Sequence, residues 1–252
     1  MLWAVIKKEK KTRMTNRILR DIRFYESNSP NVEGHYPGEL GSYFKPTTDT
    51  KYIGQRIARK LNELSFISGT FDHIYINLTT VLDKNEILIS KRFVDKRIQY
   101  VDYGLEPSEF NSLNEAERDK FTTELVFKIL KRLYETEISC LQFIDKTKHL
   151  IETFGDKVVI EYKTKETKDY KVGIGYQIRP ERNSDLSRMI LHYIDKNIDV
   201  KCDVDLYHYE DIYSMVDTIK ISDNQIILRP KKTFEAEIVA KHYEKPFVFN
   251  IK

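Results

Sequence analysis

Apolar and polar positions change period several times along this chain, and each change marks an expected element. Near the start two readings stay open: Ile18, Leu19, Ile22 and Tyr25 suit a helix, while the alternation through Ile18, Arg20, Ile22 and Phe24 suits a strand less well. The pattern then lapses. SNSPNVEGHYPGELGSYFKPTTDT, residues 27–50, holds Pro30, Pro37 and Pro46 with Gly34, Gly38 and Gly41, which makes a loop far longer than the usual handful of residues. Its aromatic side chains, His35, Tyr36, Tyr43 and Phe44, either pin the loop to the core or form a contact surface. From about Lys51 to Leu64 the spacing of Ile53, Ile57, Leu61 and Leu64 predicts an amphipathic helix, with Arg56, Arg59 and Lys60 on a face read as solvated.

FDHIYINLTT then alternates Ile74, Ile76 and Leu78 against His73, Tyr75 and Asn77, and VLDKNEILIS turns through Asp83, Lys84 and Asn85 into a second strand, a hairpin pattern. Ile98, Tyr100 and Val101 extend the meander as a third strand, which Gly104 and Pro107 end. Asn114 and Glu117 have the spacing of a capping box at the start of a long helix. Its stripe of Phe121, Leu125, Ile129 and Leu133 resumes at Cys140, Ile144 and Ile151. Unbroken to residue 154, such a helix would run roughly 60 Å, so a break is expected near Glu135 to Glu137, with Gly155 ending the second segment.

The remainder reads mainly as strands. KVVIEYK and DYKVGIGYQI alternate, with Gly173 and Gly175 on the outer face, where they permit a bend or the close approach of another backbone. Ser184 can cap a helix through Leu186, Met189, Ile190, Tyr193 and Ile194, although a strand stays possible. IDVKCDVDLYHY sends Ile198, Val200, Cys202, Val204 and Leu206 inward and Asp199, Lys201, Asp203, Asp205 and Tyr207 outward. A short helix at Glu210 to Val216, a hairpin turning at Asp223 and Asn224, and a last strand in PFVFNIK close the chain. The expected fold is α+β, with antiparallel β-meanders flanking a long central helical segment. Residues 1–13 form an extension or short strand, 14–155 an α+β lobe with the long loop and helix, and 156–252 a mainly antiparallel β lobe, the two lobes being separate or one continuous domain.

Composition narrows the function classes. With 252 residues, 40% of them hydrophobic, the chain can bury a full core. Its 42 Lys and Arg against 39 Asp and Glu leave a net charge of +3, too small and interspersed for a protein that wraps nucleic acid, so a charged partner must meet a local patch. No window approaches the roughly 18 apolar residues of a membrane span, and MLWAVIKKEKKTR is not a signal sequence, so a soluble, cytoplasmic protein is expected. Cys140 and Cys202 lie far apart and are read as small buried hydrophobes in a reducing compartment.

Candidate chemistry is sparse. Asp102, Tyr103, Glu106 and Glu109 form an acidic cluster that reads as a strand end and helix start rather than a reacting centre. Glu161 and Lys163 match the E-x-K half of a metal-dependent nuclease strand, but the nearest Asp, Asp156, lies beside the same strand instead of on a neighbour. The six histidines share no metal-ligand spacing, and phosphate-loop, nucleophile-elbow and zinc-helix motifs are absent, so no cofactor, metal or catalytic residue is expected. Asp199, Asp203 and Asp205 sit about 6.6 Å apart per two-residue step on one strand face. That strip either is solvated or, with Tyr207, Tyr36 and Tyr43, contacts a protein partner. A nucleic-acid module built on Arg56, Arg59 and Lys60 is the remaining alternative.

HIYINLTT, the turn into ILIS, and QYVDYGLEPSEFNSLNEAERDKF leading into an amphipathic helix together resemble the single-domain immunity proteins of bacterial polymorphic toxin systems, over about half the chain. That group spans many folds and shares no catalytic residues, so no residue role carries over. The resemblance implies a cytoplasmic, non-enzymatic protein that binds and blocks a cognate toxin domain; hydropathy separately excludes a membrane partner from the expectation, and the charge balance disfavours nucleic acid.

Overall fold

The computed structural model describes residues 16–29, 36–90, 95–180 and 186–251; the 1–13 segment, His35 and Ser184 lie outside them. The ambiguous start resolves into strands β1 (Arg17–Ile18) and β2 (Asp21–Ser27). There follow β3 (Gly38–Glu39), helix α1 (Thr50–Glu63), β4 (Ile67–Gly69), β5 (His73–Thr79), β6 (Ile87–Ile89) and β7 (Ile98–Gly104). β1 and β4 form a small antiparallel pair, and the others make a five-stranded sheet in the order β3-β2-β5-β7-β6.

The chain is α+β, as its patterning implied, but the first sheet is not a meander. β2, β5 and β7 run parallel, and β6 pairs antiparallel with β7 rather than with β5. The turn at Asp83 does form, with Asn85 at φ 68° and the Glu86 amide donating to the Asp83 carbonyl. Both edges of β5 are taken by its parallel neighbours, so the turn delivers β6 to the far side of β7. Gly104, the last residue of β7, is glycine for a reason of space: a β-carbon there would lie 1.9 Å from the Asp83 carbonyl oxygen.

Helices α2 (Pro107–Ser112), α3 (Glu115–Leu133) and α4 (Ile138–Phe154) come next. The Asn114 side chain accepts from the Glu117 amide and Glu117 reaches back to the Asn114 amide, which closes the capping box. The long helical segment breaks at 134–137 and stops at Gly155, whose φ of 55° suits glycine. Ile53, Ile57 and Leu61 of α1, Leu125 and Ile129 of α3, and Ile144 of α4 cover one face of the sheet through Ile22, Ile74, Ile76 and Val101. Gly54 lets α1 settle onto β2, because a β-carbon at that position would fall 2.1 Å from the Ile22 carbonyl oxygen.

The second half builds an antiparallel sheet from β8 (Ile160–Glu166), β9 (Tyr170–Gln177), β10 (Ser187–Asp195) and β11 (Asp199–Leu206), ordered β11-β10-β9-β8. Residues 187–195 are a strand and not a helix. Ser187, Met189, Leu191 and Tyr193 point inward, and Ile190 and Ile194 on the outer face mimic an i, i+4 helical spacing. Helix α5 (Ile212–Met215), strands β12 (Thr218–Ser222) and β13 (Gln225–Arg229), helix α6 (Phe234–Val239) and strand β14 (Phe247–Asn250) complete the fold, with the strands ordered β12-β13-β14. Asp223 and Asn224 both take positive φ in the tight turn between β12 and β13. Val172, Ile174, Met189 and Leu191 pack with Met215, Ile226 and Leu228 as a second core.

The charged face of α1 joins the two cores. Arg56 grips Asp49 through two hydrogen bonds of 3.2 and 2.7 Å and donates from Nε to the Ile178 carbonyl at 3.0 Å. Lys60 donates to the Val159 carbonyl at 2.8 Å while paired with Glu63, whose carboxylate also receives the Glu161 amide at 2.7 Å. Both cations are buried, at 3% and 7% exposure, so the solvated-face reading of α1 is corrected. A polar helix face can be an internal joint when carbonyls and carboxylates meet it.

Candidate functional site

Period-two alternation along β11 places Asp199, Asp203 and Asp205 on the exposed face of its sheet. Register then decides what they meet. Arg188 on β10 lies opposite Asp205 and beside the residue opposite Asp203, and it pairs with both, at 3.3 and 2.9 Å. His192 Nε2 lies 2.8 Å from Asp199. The three aspartates are therefore half of a mixed-charge lattice, not a bare anionic strip. Tyr207 leaves their face: its ring, 53% exposed, packs on His242 and Tyr243 at 5.7 and 5.6 Å.

Tyr36 and Tyr43 belong to the first lobe and are exposed. The loop that carries them is anchored from within, for Phe44 is fully buried against Phe110 and the Glu26 carboxylate accepts the amides of Ser42, Tyr43 and Phe44. Burial alone would push the Glu26 carboxyl up, but these amides hold it below its ordinary value. Asp102 is also internal, inside β7, and accepts from Asn77 at 2.7 Å. Cys140 is buried, whereas Cys202 is only half-buried, and both are free thiols.

A trough of about 490 Å³ crosses the outer face of the second sheet beside α1. Gly173 and Gly175 form its floor. At Gly175 a β-carbon would press within 2.6 Å of Val159 and 2.8 Å of the Ile160 carbonyl, while Gly173 faces open space. Glu161 borders this trough, but a bulge between Glu161 and Lys163 turns Lys163 to the other face, where its amine meets the carbonyls of Val216 and Asp217. The two halves of the E-x-K pattern thus lie on opposite sides of the sheet. Asp156 is occupied by Arg179 at 3.6 Å.

A second cavity, about 370 Å³, opens where the lobes meet. From the first lobe come Arg20 and Arg23 around the start of β2 and a polar stripe of α1, Lys51, Gln55 and Arg59; from the second come Arg179, Tyr207 and Tyr209. Arg59 is held by tyrosines. Its guanidinium lies 5.8 Å from the Tyr213 ring centre and 3.7 Å from Glu210, and Tyr209 stacks on Tyr176 within 8° of parallel. Burial works against the charge of Arg59, but Tyr213, Tyr176 and Tyr209 outweigh it and leave the guanidinium pKa raised. Burial pushes the Tyr176 and Tyr209 hydroxyls well above their ordinary range, which keeps them neutral. Of the Arg56, Arg59 and Lys60 trio, Arg59 borders this cleft and Lys60 borders the trough on the outer sheet face, whereas Arg56 lines neither.

Sequence reasoning missed this cleft. The spacing of Lys51, Gln55 and Arg59 at i, i+4 and i+8 was the available signal, but its meeting with residues 20–23 and 207–210 is a product of the fold. Among the described residues no cluster of potential metal ligands forms, and no helix is long and apolar enough to cross a membrane. Comparison with known proteins finds no matching family model, no matching curated protein and no matching solved structure.

Proposed function

We propose that this protein is a non-enzymatic interaction protein that binds a partner protein over the outer face of the β8–β11 sheet. We propose further that the partner is a bacterial toxin domain, neutralised in the cytoplasm. The observation that supports a protein interface is the outer face itself: four strands wide, open to solvent, and carrying Asp203 and Asp205 paired with Arg188 of the neighbouring strand, Asp199 at 2.8 Å from His192, and Lys201 between them. Charges fixed by one another in this way offer a defined pattern, and such patterns set specificity and association rate more than raw affinity. The free side of β11 adds a row of unpaired backbone groups at the sheet edge. A basic partner surface would compete with Arg188 for the two aspartates. The resemblance to immunity proteins agrees with this reading.

The test is a binding titration against the products of the reading frames adjacent to this protein's gene. Wild type should bind with an association rate that falls as salt rises. Asp203→Lys with Asp205→Lys should raise Kd by about a hundredfold or more, since each lost charge contact is worth about 1.5–3 kcal/mol. Unchanged affinity in the double variant would remove the strip from the interface, and no binding by wild type would remove the toxin-inhibitor reading.

A further inference from the structure

The cleft between the lobes has a composition unlike the rest of the surface. Five cationic side chains line it, Arg20, Arg23, Lys51, Arg59 and Arg179, against two carboxylates, Asp21 and Glu210. That excess of three positive charges equals the net +3 of the whole chain, so everything outside the cleft is formally neutral. Asp21 meets Arg23 at 2.6 Å through one carboxylate oxygen, its other oxygen being buried without a hydrogen-bond partner, and Glu210 meets the Tyr209 hydroxyl at 3.2 Å and Arg59 at 3.7 Å. Arg20 and Lys51 have no carboxylate partner among the described residues, and the Lys51 amine rests only over the Tyr52 ring at 5.4 Å. Two buried atoms on the same stretch of α1 lack hydrogen-bond partners, the donor Arg59 Nε and the acceptor Gln55 Oε1.

Each feature names a property of a ligand that would suit the cleft. Concentrated positive charge in a concave, low-dielectric site calls for an anion, and several arginines favour the oxygens of a phosphate. An unmet acceptor beside an unmet donor calls for a ligand that also carries a hydroxyl or amino group. The half-exposed Tyr207 ring at the cleft offers a stacking face for a planar group. A volume of about 370 Å³ sits near the lower end of the range for small-molecule sites, enough for one such ligand. We propose that the interlobe cleft binds a small phosphate ester carrying a planar ring, of mononucleotide size, with the phosphate on Arg20, Lys51 and Arg59 and the ring against Tyr207.

Calorimetric titration with adenosine 5′-monophosphate, adenosine and inorganic phosphate tests this. The monophosphate should bind about tenfold or more tightly than either fragment and weaken as sodium chloride rises. Arg20→Gln and Lys51→Gln alter exposed side chains that hold no core together, and each should raise Kd about tenfold without moving the thermal midpoint. Tyr207→Ala should weaken the monophosphate and leave phosphate alone unchanged. Lys120→Gln, on the exposed side of α3, should change nothing. Asp203→Lys with Asp205→Lys should leave nucleotide binding intact, which separates this site from the outer sheet face. No binding at millimolar monophosphate, binding indifferent to Arg20→Gln with Lys51→Gln, or phosphate binding as tightly as the monophosphate would each overturn the proposal.

Discussion

Replacing Arg56 by Met tests whether the charged face of α1 is a joint or a surface. The native guanidinium is 4% exposed and its partner Asp49 13%. Methionine keeps most of the volume and removes the two bonds to Asp49 and the bond to the Ile178 carbonyl. Removing one member of a buried ion pair costs about 3–5 kcal/mol, because the other charge stays desolvated and unpaired. Asp49 precedes the first turn of α1, where the helix dipole returns about 0.3–1 kcal/mol to an anion. The expected loss is therefore about 2–4 kcal/mol. At about 2–4 °C per kcal/mol for a chain of this size, the melting midpoint should fall by roughly 4–16 °C. Urea unfolding followed by circular dichroism gives the free energy directly, and a cycle with Asp49→Asn isolates the coupling. A variant within about 0.5 kcal/mol of wild type, the usual range for surface changes, would mean that Arg56 is solvated after all.

Two further outcomes follow from particular atoms. Gly54→Ala gains about 1 kcal/mol of helix propensity yet places a β-carbon 2.1 Å from the Ile22 carbonyl. Since that oxygen belongs to the backbone of β2, held in register against β5, and cannot swing aside, the helix must move, and a net loss of about 1–3 kcal/mol is expected in urea unfolding. Gly173→Ala meets nothing within 4 Å and should be near neutral; equal effects at the two positions would contradict the packing described. Glu26 has a carboxyl pKa lowered by loop amides in the folded state, so its contribution is complete above the ordinary value of 4.5 and is lost as pH falls through the lowered one. Glu26→Gln should therefore be less stable than wild type at pH 7 and converge toward it in acid, as read from unfolding curves at stepped pH.

Local chemistry was legible and partner choice was not. The capping box at Asn114, the break after Leu133, the stop at Gly155 and the turn at Asp223 depend on residues a few positions apart, and each formed where the sequence placed it. β6 shows the limit: its turn was visible, but the strand it would join depended on β2 and β7 having claimed both edges of β5. Residues 187–195 misled because isoleucines stand on both the periodic positions of a helix and the outer face of a strand. For the aspartates of β11, alternation gave the face correctly, while the pairing of Asp203 and Asp205 with Arg188 and the contact of Asp199 with His192 follow from cross-strand register. Arg56 and Lys60 looked solvated because periodicity reports which side of a helix is polar, not what lies against that side. The cleft assembles from segments as far apart as residues 20–23, α1, Arg179 and 207–210, so the polar stripe of α1 alone could not announce it.

Helix α1 contributes apolar side chains to one core and clamps the backbone at Val159 and Ile178 that leads into the other. Severing the chain at Gly155 would strand those cations on one fragment and bare the matching carbonyls on its counterpart. Neither piece would make a faithful stand-in for the intact molecule. Mechanical load applied at β11 would travel through this shared rod into the neighbouring half, so the two should yield in a single event.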